Sequence, residues 1–175
     1  MGTFTGTTGD DTLGGGPGPD TLIGLAGNDV YIVNDPGDVV VENPGEGYDV
    51  IYTTISYALN DFSEVEGLVP LDFNGTTPLN LTGNSRDNYI IGNAGANQLN
   101  GGAGADVLEG RGGNDIYVVD NASDLIIEAV GQGYDVAYAS VSYALAAGQE
   151  VEGLVALDPS STAALSFTGL SLIHI

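Results

Sequence analysis

The chain has 175 residues, with 24 acidic side chains against two basic ones and a single histidine, for a formal charge of −22. A field of that sign excludes nucleic acid and anionic membrane surfaces as partners and favours cations. The absence of cysteine excludes a disulfide framework and thiolate metal sites, and no apolar run approaches the roughly 18–20 residues of a membrane helix.

Residues 1–11 are rich in glycine and threonine and lack the basic start and apolar middle of a signal peptide. From there the chain keeps a nine-residue beat. Gly6, Gly15 and Gly24 are nine apart, as are Gly9, Gly18 and Gly27; Asp11, Asp20 and Asp29 keep step, and each is followed two residues on by Leu13, Leu22 or Tyr31. An imperfect continuation over residues 33–41 adds Asp38 and Val40. Residues 42–82 have no strict period and read as short strands broken by turns. Residues 39–41, 50–52, 55–57 and 79–81 are β-rich; Pro44-Gly45 and Asn74-Gly75 are turn signals; residues 57–66 leave room for a short helical turn. The beat returns at Gly83, Gly92, Gly101 and Gly110, with Gly95, Gly104 and Gly113 in the fourth slot. There the acidic slot holds Asn88, Asn97, Asp106 and Asp115, the apolar slot holds Ile90, Leu99, Leu108 and Tyr117, and a continuation over 119–127 adds Asp124.

A longer repeat encloses the short one. Gly27-Asn28-Asp29-Val30-Tyr31 recurs as Gly113-Asn114-Asp115-Ile116-Tyr117, an 86-residue shift that also carries Gly47-Tyr48-Asp49-Val50 onto Gly133-Tyr134-Asp135-Val136. The expected units are 1–83, with a truncated array over 6–41 and a β-rich stretch over 42–82, and 83–169, with an array over 83–127 and a β-rich stretch over 128–169. After Gly169 the repeat calls for a segment like residues 84–88. The chain instead reads Leu170-Ser171-Leu172-Ile173-His174-Ile175, a string that the sequencing-adaptor codons CTG TCT CTT ATA CAC ATC encode. Residues 170–175 are therefore read as a non-native tail on a fragment of a longer protein, and the only histidine lies in it.

The nine-residue unit is Gly-Gly-x-Gly-x-Asp-x-U-x with U apolar, and by it the chain resembles the RTX, or hemolysin-type calcium-binding, family. The resemblance implies an all-β fold, a right-handed parallel β-roll or β-solenoid in which two nonapeptides complete one coil. Glycine at the first and fourth slots permits positive φ and close approach. Residues 18 apart then stack at about 4.8 Å, placing Leu13 on Tyr31, Leu22 on Val40, Leu99 on Tyr117 and Ile90 on Leu108. Asp11 falls near Asp29, Asp20 near Asp38 and Asp106 near Asp124, with Asn88–Asp106 and Asn97–Asp115 as weaker pairs. Two carboxylates about 5 Å apart repel by roughly 3 kcal/mol at an effective dielectric near 20, and a bound dication reverses the sign. Calcium suits six to eight oxygens at about 2.3–2.6 Å, whereas magnesium asks for a smaller, stricter octahedron, and zinc and copper ask for His or Cys. The expected calcium set is Gly9, Asp11, Gly18, Asp20, Gly27, Asp29, Asp38, Asn88, Gly95, Asn97, Gly104, Asp106, Gly113, Asp115 and Asp124. Arg86, standing in a glycine slot, puts its own turn in question. Asp49, Asp135, Glu66 and Glu152 recur at the long shift and are read as solvated turn residues in preference to a further cation site. Tyr48, Tyr52 and Tyr57 are read as strand packing in preference to a carbohydrate-stacking face.

Outside the tail the chain has no His, Cys or Lys, and no nucleophile elbow, phosphate loop or H-E-x-x-H. The expectation is a non-catalytic module whose partners are calcium ions, with no membrane insertion by this segment. The resemblance implies an extracellular setting, with type I secretion and folding at outside calcium levels. The parent is left open between a polysaccharide-processing enzyme or toxin and a large adhesin or surface-layer protein, with a carbohydrate or cell-surface partner reached through it.

Overall fold

Glycine-rich turns that alternate with three- or four-residue apolar segments leave no run long enough for a helix, and none forms among the described residues. The computed structural model describes residues 1–162 and 164–169, so the expected non-native tail at 170–175 lies outside them. The strands are β1 (Thr3–Thr5), β2 (Thr12–Gly14), β3 (Thr21–Ile23), β4 (Val30–Val33), β5 (Val39–Val41), β6 (Val50–Thr53), β7 (Tyr57–Ala58), β8 (Gly67–Pro70) and β9 (Asn80–Thr82). They continue as β10 (Tyr89–Ile91), β11 (Gln98–Asn100), β12 (Val107–Glu109), β13 (Ile116–Val119), β14 (Leu125–Ile127), β15 (Val136–Ala139), β16 (Tyr143–Ala144), β17 (Gly153–Ala156) and β18 (Phe167–Thr168). Every pairing is parallel and joins strands two apart in sequence, so the chain winds as a β-solenoid of about nine coils.

One wall is the seven-stranded sheet of even strands β2 to β14. The other holds β1-β3-β5 and then the six-stranded sheet of odd strands β7 to β17, and a two-stranded sheet pairs β16 with β18. The four expected stacks are all present: Leu13 pairs with Tyr31, Leu22 with Val40, Leu99 with Tyr117, and Ile90 with Leu108. Strand alternation turns these side chains inward, where they join Ile51, Leu68, Leu81 and Ile126 in one continuous core.

The aperiodic stretches belong to the same solenoid. The strand expected at 55–57 is Tyr57–Ala58, and that at 79–81 is Asn80–Thr82. Residues 57–66 form no helical turn. The Asn60 side chain accepts the Phe62 N–H at 3.0 Å and the Asn60 carbonyl accepts the Ser63 N–H at 3.2 Å, a local turn that takes the backbone donors a helix would need. β7 does not pair with β5. The step is bridged instead by Tyr57, whose hydroxyl donates to the Asp38 carbonyl at 3.0 Å, as Tyr143 does to Asp124 at 2.9 Å.

The 86-residue shift carries β1–β9 onto β10–β18 strand by strand. Nine is odd, so the shift exchanges the walls: β4, β6 and β8 lie in the seven-stranded sheet, whereas β13, β15 and β17 lie in the six-stranded one.

Candidate metal centre

The residue before each strand carries the site. On one wall the column runs Asp11, Asp29, Asp49, Glu66, Asn88, Asp106, Asp124; on the other, Asn97, Asp115, Asp135 and Glu152 stack, preceded by the pair Asp20 and Asp38. Apart from Asn88, each side chain that follows another rung accepts the backbone N–H of the residue one coil earlier. Asp29 Oδ1 accepts from Asp11 at 2.7 Å, Asp49 from Asp29 at 2.7 Å, Asp106 from Asn88 at 2.7 Å and Asp124 from Asp106 at 3.1 Å. On the second wall Asp38 accepts from Asp20 at 2.9 Å, Asp115 from Asn97 at 2.7 Å and Asp135 from Asp115 at 2.7 Å. These charge-assisted bonds fix one oxygen of each carboxylate and aim the other into its own turn.

The second oxygen decides what each rung can bind. A Cβ on Gly15 would strike Asp20 Oδ2, one on Gly101 would strike Asp106 Oδ2, and one on Gly6 would lie 2.7 Å from Asp11 Oδ2. The first-slot glycine is thus required by close approach, while positive φ falls in the fourth slot, as at Gly27 (125°) and Gly104 (138°), and in the second, where Leu25 (78°) and Arg111 (74°) adopt it without being glycine. Asp29, Asp106 and Asp115 each leave Oδ2 fully buried with no hydrogen-bond partner. Asp11 is half-buried, its Oδ2 held by the Thr7 N–H at 2.6 Å and hydroxyl at 2.9 Å; Asp20 is buried, with Oδ1 on the Gly2 N–H at 2.5 Å.

The remaining expected positions differ in kind. Asp38 Oδ2 accepts the N–H groups of Asn34 and Asp35 at 3.1 Å, and Asp124 Oδ2 those of Asp120 and Asn121 at 3.3 and 3.1 Å, so both oxygens of each are used in closing a turn. Asn97 donates its amide to the Gly95 carbonyl at 2.6 Å and to Asn93 at 3.2 Å; Asn88 donates to Val65 at 3.0 Å and accepts from Asn84 at 2.9 Å. At Asn97 an amide proton occupies the space that an aspartate rung leaves open, whereas at Asn88 the side-chain oxygen faces Gly83 and is engaged by the Asn84 N–H. The turn containing Arg86 closes normally, with the guanidinium turned out to Glu64. Gly9, Gly18, Gly27, Gly104 and Gly113 stand in the turns before their aspartates, and Gly95 in the turn before Asn97.

Two denser groups stand beside these rungs. A carboxylate oxygen from each of Asp29, Glu42 and Asp49 lies within 4.8 Å of the others, and Asp115, Glu128 and Asp135 repeat the arrangement. Asp49 and Asp135 are each only 1% exposed, which corrects their reading as solvated turn residues. Sequence reasoning passed over Glu42 and Glu128 altogether. The signal was alternation: Asp38, Val40 and Glu42 are all inward positions of one strand and its extension. Burial, reinforced by the neighbouring carboxylates Asp49 and Asp29, pushes Glu42 up to about 8, and burial pushes Glu128 to about 8 as well. Asp106 rises to about 7 and Asp49 and Asp115 to about 6, in each case chiefly through burial. No cationic side chain among the described residues offsets these shifts.

Fold and site together define a parallel β-solenoid whose turns aim buried, unpartnered carboxylate oxygens at one another, a donor set suited to a hard dication and to neither zinc nor copper. Residues 5–35 and 82–117 match the family model described as RTX calcium-binding nonapeptide repeat, four copies. Those segments belong to that family, and the chain carries a calcium-binding RTX β-roll module. Asp38 and Asp124, whose carboxylates close turns, lie just beyond the matched segments. No curated protein and no solved structure matches the chain.

Proposed function

We propose that the chain is a non-catalytic module of a secreted protein that folds as it binds calcium. The observation that carries this reading is the orphaned Oδ2 of Asp29, Asp106 and Asp115, each fully buried while Oδ1 of the same side chain accepts a backbone N–H. An unpartnered buried polar atom costs roughly 1–3 kcal/mol, more when charged. Three of them, added to the repulsion along the columns, rival the about 5–15 kcal/mol of a domain's whole stability. Calcium between rungs would remove that cost, with Asp11, Asp20, Asp29, Asp106 and Asp115 as principal ligands and the carbonyls of the turns completing the shell. Asn88 and Asn97 would contribute less, since their amides already donate to the protein. Asp38 and Asp124 would hold the turn in shape around the rung below.

Extracellular calcium modules bind at about 10⁻⁴–10⁻³ M. Such a chain stays open in a low-calcium cytoplasm, passes a type I channel unfolded and closes outside, binding energy becoming folding energy. On this reading the parent is a polysaccharide-processing enzyme or toxin, or a large adhesin or surface-layer protein. Among the described residues no helix is long and apolar enough to cross a membrane. Calcium titration followed by far-UV circular dichroism tests the reading. The expected outcome is a disordered spectrum in chelator and β-structure at millimolar calcium, with magnesium ineffective. Asp20→Ala or Asp106→Ala should raise the calcium midpoint severalfold and Asn88→Ala less. An identical folded spectrum in chelator would overturn the coupling of folding to calcium, and failure to retain calcium in equilibrium dialysis would overturn the function.

A further inference from the structure

We propose that Asp29, Glu42 and Asp49, and separately Asp115, Glu128 and Asp135, each enclose one calcium-class dication at a site the nonapeptide pattern does not encode. The inference rests on the reading that the chain takes up calcium, and it adds a ligand from outside the repeat. Glu42 follows β5 and lies beyond the segment that matches the repeat family. Alternation turns it inward, and it is 1% exposed, yet neither of its carboxylate oxygens has a hydrogen-bond partner. The Tyr31 hydroxyl, on a fully buried ring, has no partner either. These groups converge on one point: a Cβ added at Gly24 would meet Asp29 Oδ2, the Tyr31 hydroxyl and a Glu42 oxygen together. At Gly110 the same construction meets the Tyr117 hydroxyl, Asp115 Oδ2 and a Glu128 oxygen.

Three carboxylates so placed require a positive charge, and the described residues supply none. Arg86 is engaged by Glu64 and Arg111 by Glu109. The donors are all oxygens, which selects a hard cation. A proton is the competing occupant. Tyr117 donates to Glu128 in the second copy, whereas Tyr31 is unpartnered in the first, so the two sites differ in one ligand. The location also has a consequence. Asp29 and Asp49 are successive rungs at the coil where the spacing lengthens from 18 to 20 residues. A cation held there staples the last nonapeptide turn to the first aperiodic coil, carrying calcium control into a stretch with no repeat motif.

The test counts ions. Wild type and a Glu42→Gln/Glu128→Gln variant are dialysed to equilibrium in millimolar calcium, and bound calcium is measured by elemental analysis beside the far-UV spectrum. The expected result is loss of one ion for each glutamate changed, with the calcium-loaded β spectrum retained. An unchanged ion count would overturn the proposal, because a site filled by a proton tolerates glutamine. Should the glutamine variant not fold, terbium replaces calcium, and emission excited through tyrosine is compared between wild type and Tyr31→Phe/Tyr117→Phe. Most of the sensitised emission should be lost, and full retention would overturn the proposal. Absence of any bound ion in the wild type would sink the calcium reading as well, so the two failures are distinguishable.

Discussion

Asp106→Asn should move the protein in opposite directions with and without calcium. Asp106 keeps one oxygen on the Asn88 N–H at 2.7 Å and buries the other without a partner against Gly101. Asparagine can keep the first contact and replace the orphan with an N–H₂. The chain already shows the result at Asn97, whose amide donates to carbonyls two and four residues back at 2.6 and 3.2 Å. At residue 106 those positions are Gly104 and Gly102. Relieving a buried unpartnered oxygen is worth about 1–3 kcal/mol, and removing its charge also relieves repulsion from Asp124 and Asp120. In chelator the variant should therefore be more stable than wild type by about 2 kcal/mol or more. The same change removes the charge of a proposed calcium ligand, so the calcium midpoint should rise severalfold, as for Asp106→Ala, with each decade worth about 1.4 kcal/mol. The assay is far-UV circular dichroism in chelator and across a calcium series, with urea or an excluded osmolyte bringing the transition into range. Asp106→Ala serves as the comparison, since it vacates the space and strands the Asn88 N–H. If asparagine destabilises the chelated protein as much as alanine does, the orphaned oxygen is not a cost of the calcium-free fold and the reasoning fails.

Leu25→Gly should stabilise the calcium-loaded protein. Leu25 holds φ at 78° in a slot where the repeat pattern has glycine; a left-handed residue costs roughly 1–2 kcal/mol, and the entropy glycine loses on folding returns about 0.5–1 kcal/mol of that. A stability gain of about 0.5–1 kcal/mol, read as a higher urea midpoint, is expected, and a lower midpoint would contradict the strain argument. Acidity should act on the chelated protein with an unusual sign. Glu42 and Glu128 are raised to about 8 and Asp106 to about 7, so between the ordinary carboxylate range and those values the folded chain holds protons that the unfolded chain releases. Its stability should fall as pH rises through that window and recover on acidification. Calcium competes with those protons, so its midpoint should rise as pH falls. A β signal in chelator that is flat or grows with pH across the window would count against buried, unpaired carboxylates.

The array was the legible part. Gly, Asp and the apolar slot recur at a fixed interval because each nonapeptide repeats one turn and one strand, so composition fixes the coil, the stack of Leu22 on Val40 and the rung of Asp29 above Asp11. The aperiodic stretch was harder to read because its coils are of unequal length: Val50 to Gly67 is one coil and Gly67 to Tyr89 the next. β8 went unnoticed because glycine and proline bracket it, yet Gly67 is there because a Cβ would press to 3.0 Å from the Val50 side chain. Asp49 and Glu42 were misjudged or missed for the same reason. An acidic residue between turn signals looks solvated unless the coil to which it belongs is known.

The odd number of strands in the long unit governs how any surface feature can repeat. Tyr48 is exposed before β6 on the even wall, and its copy Tyr134 is exposed before β15 on the odd wall. An 86-residue copy therefore never extends a feature along one face; it places the feature on the opposite wall, and only every second unit would return it. A polymer lying along one wall would meet alternate units, whereas the buried carboxylate groups, each closed between neighbouring coils of one unit, are indifferent to the exchange. Repetition of the long unit thus keeps the buried carboxylate groups while it scatters the exterior, which argues that the element kept in step is the interior column of charge.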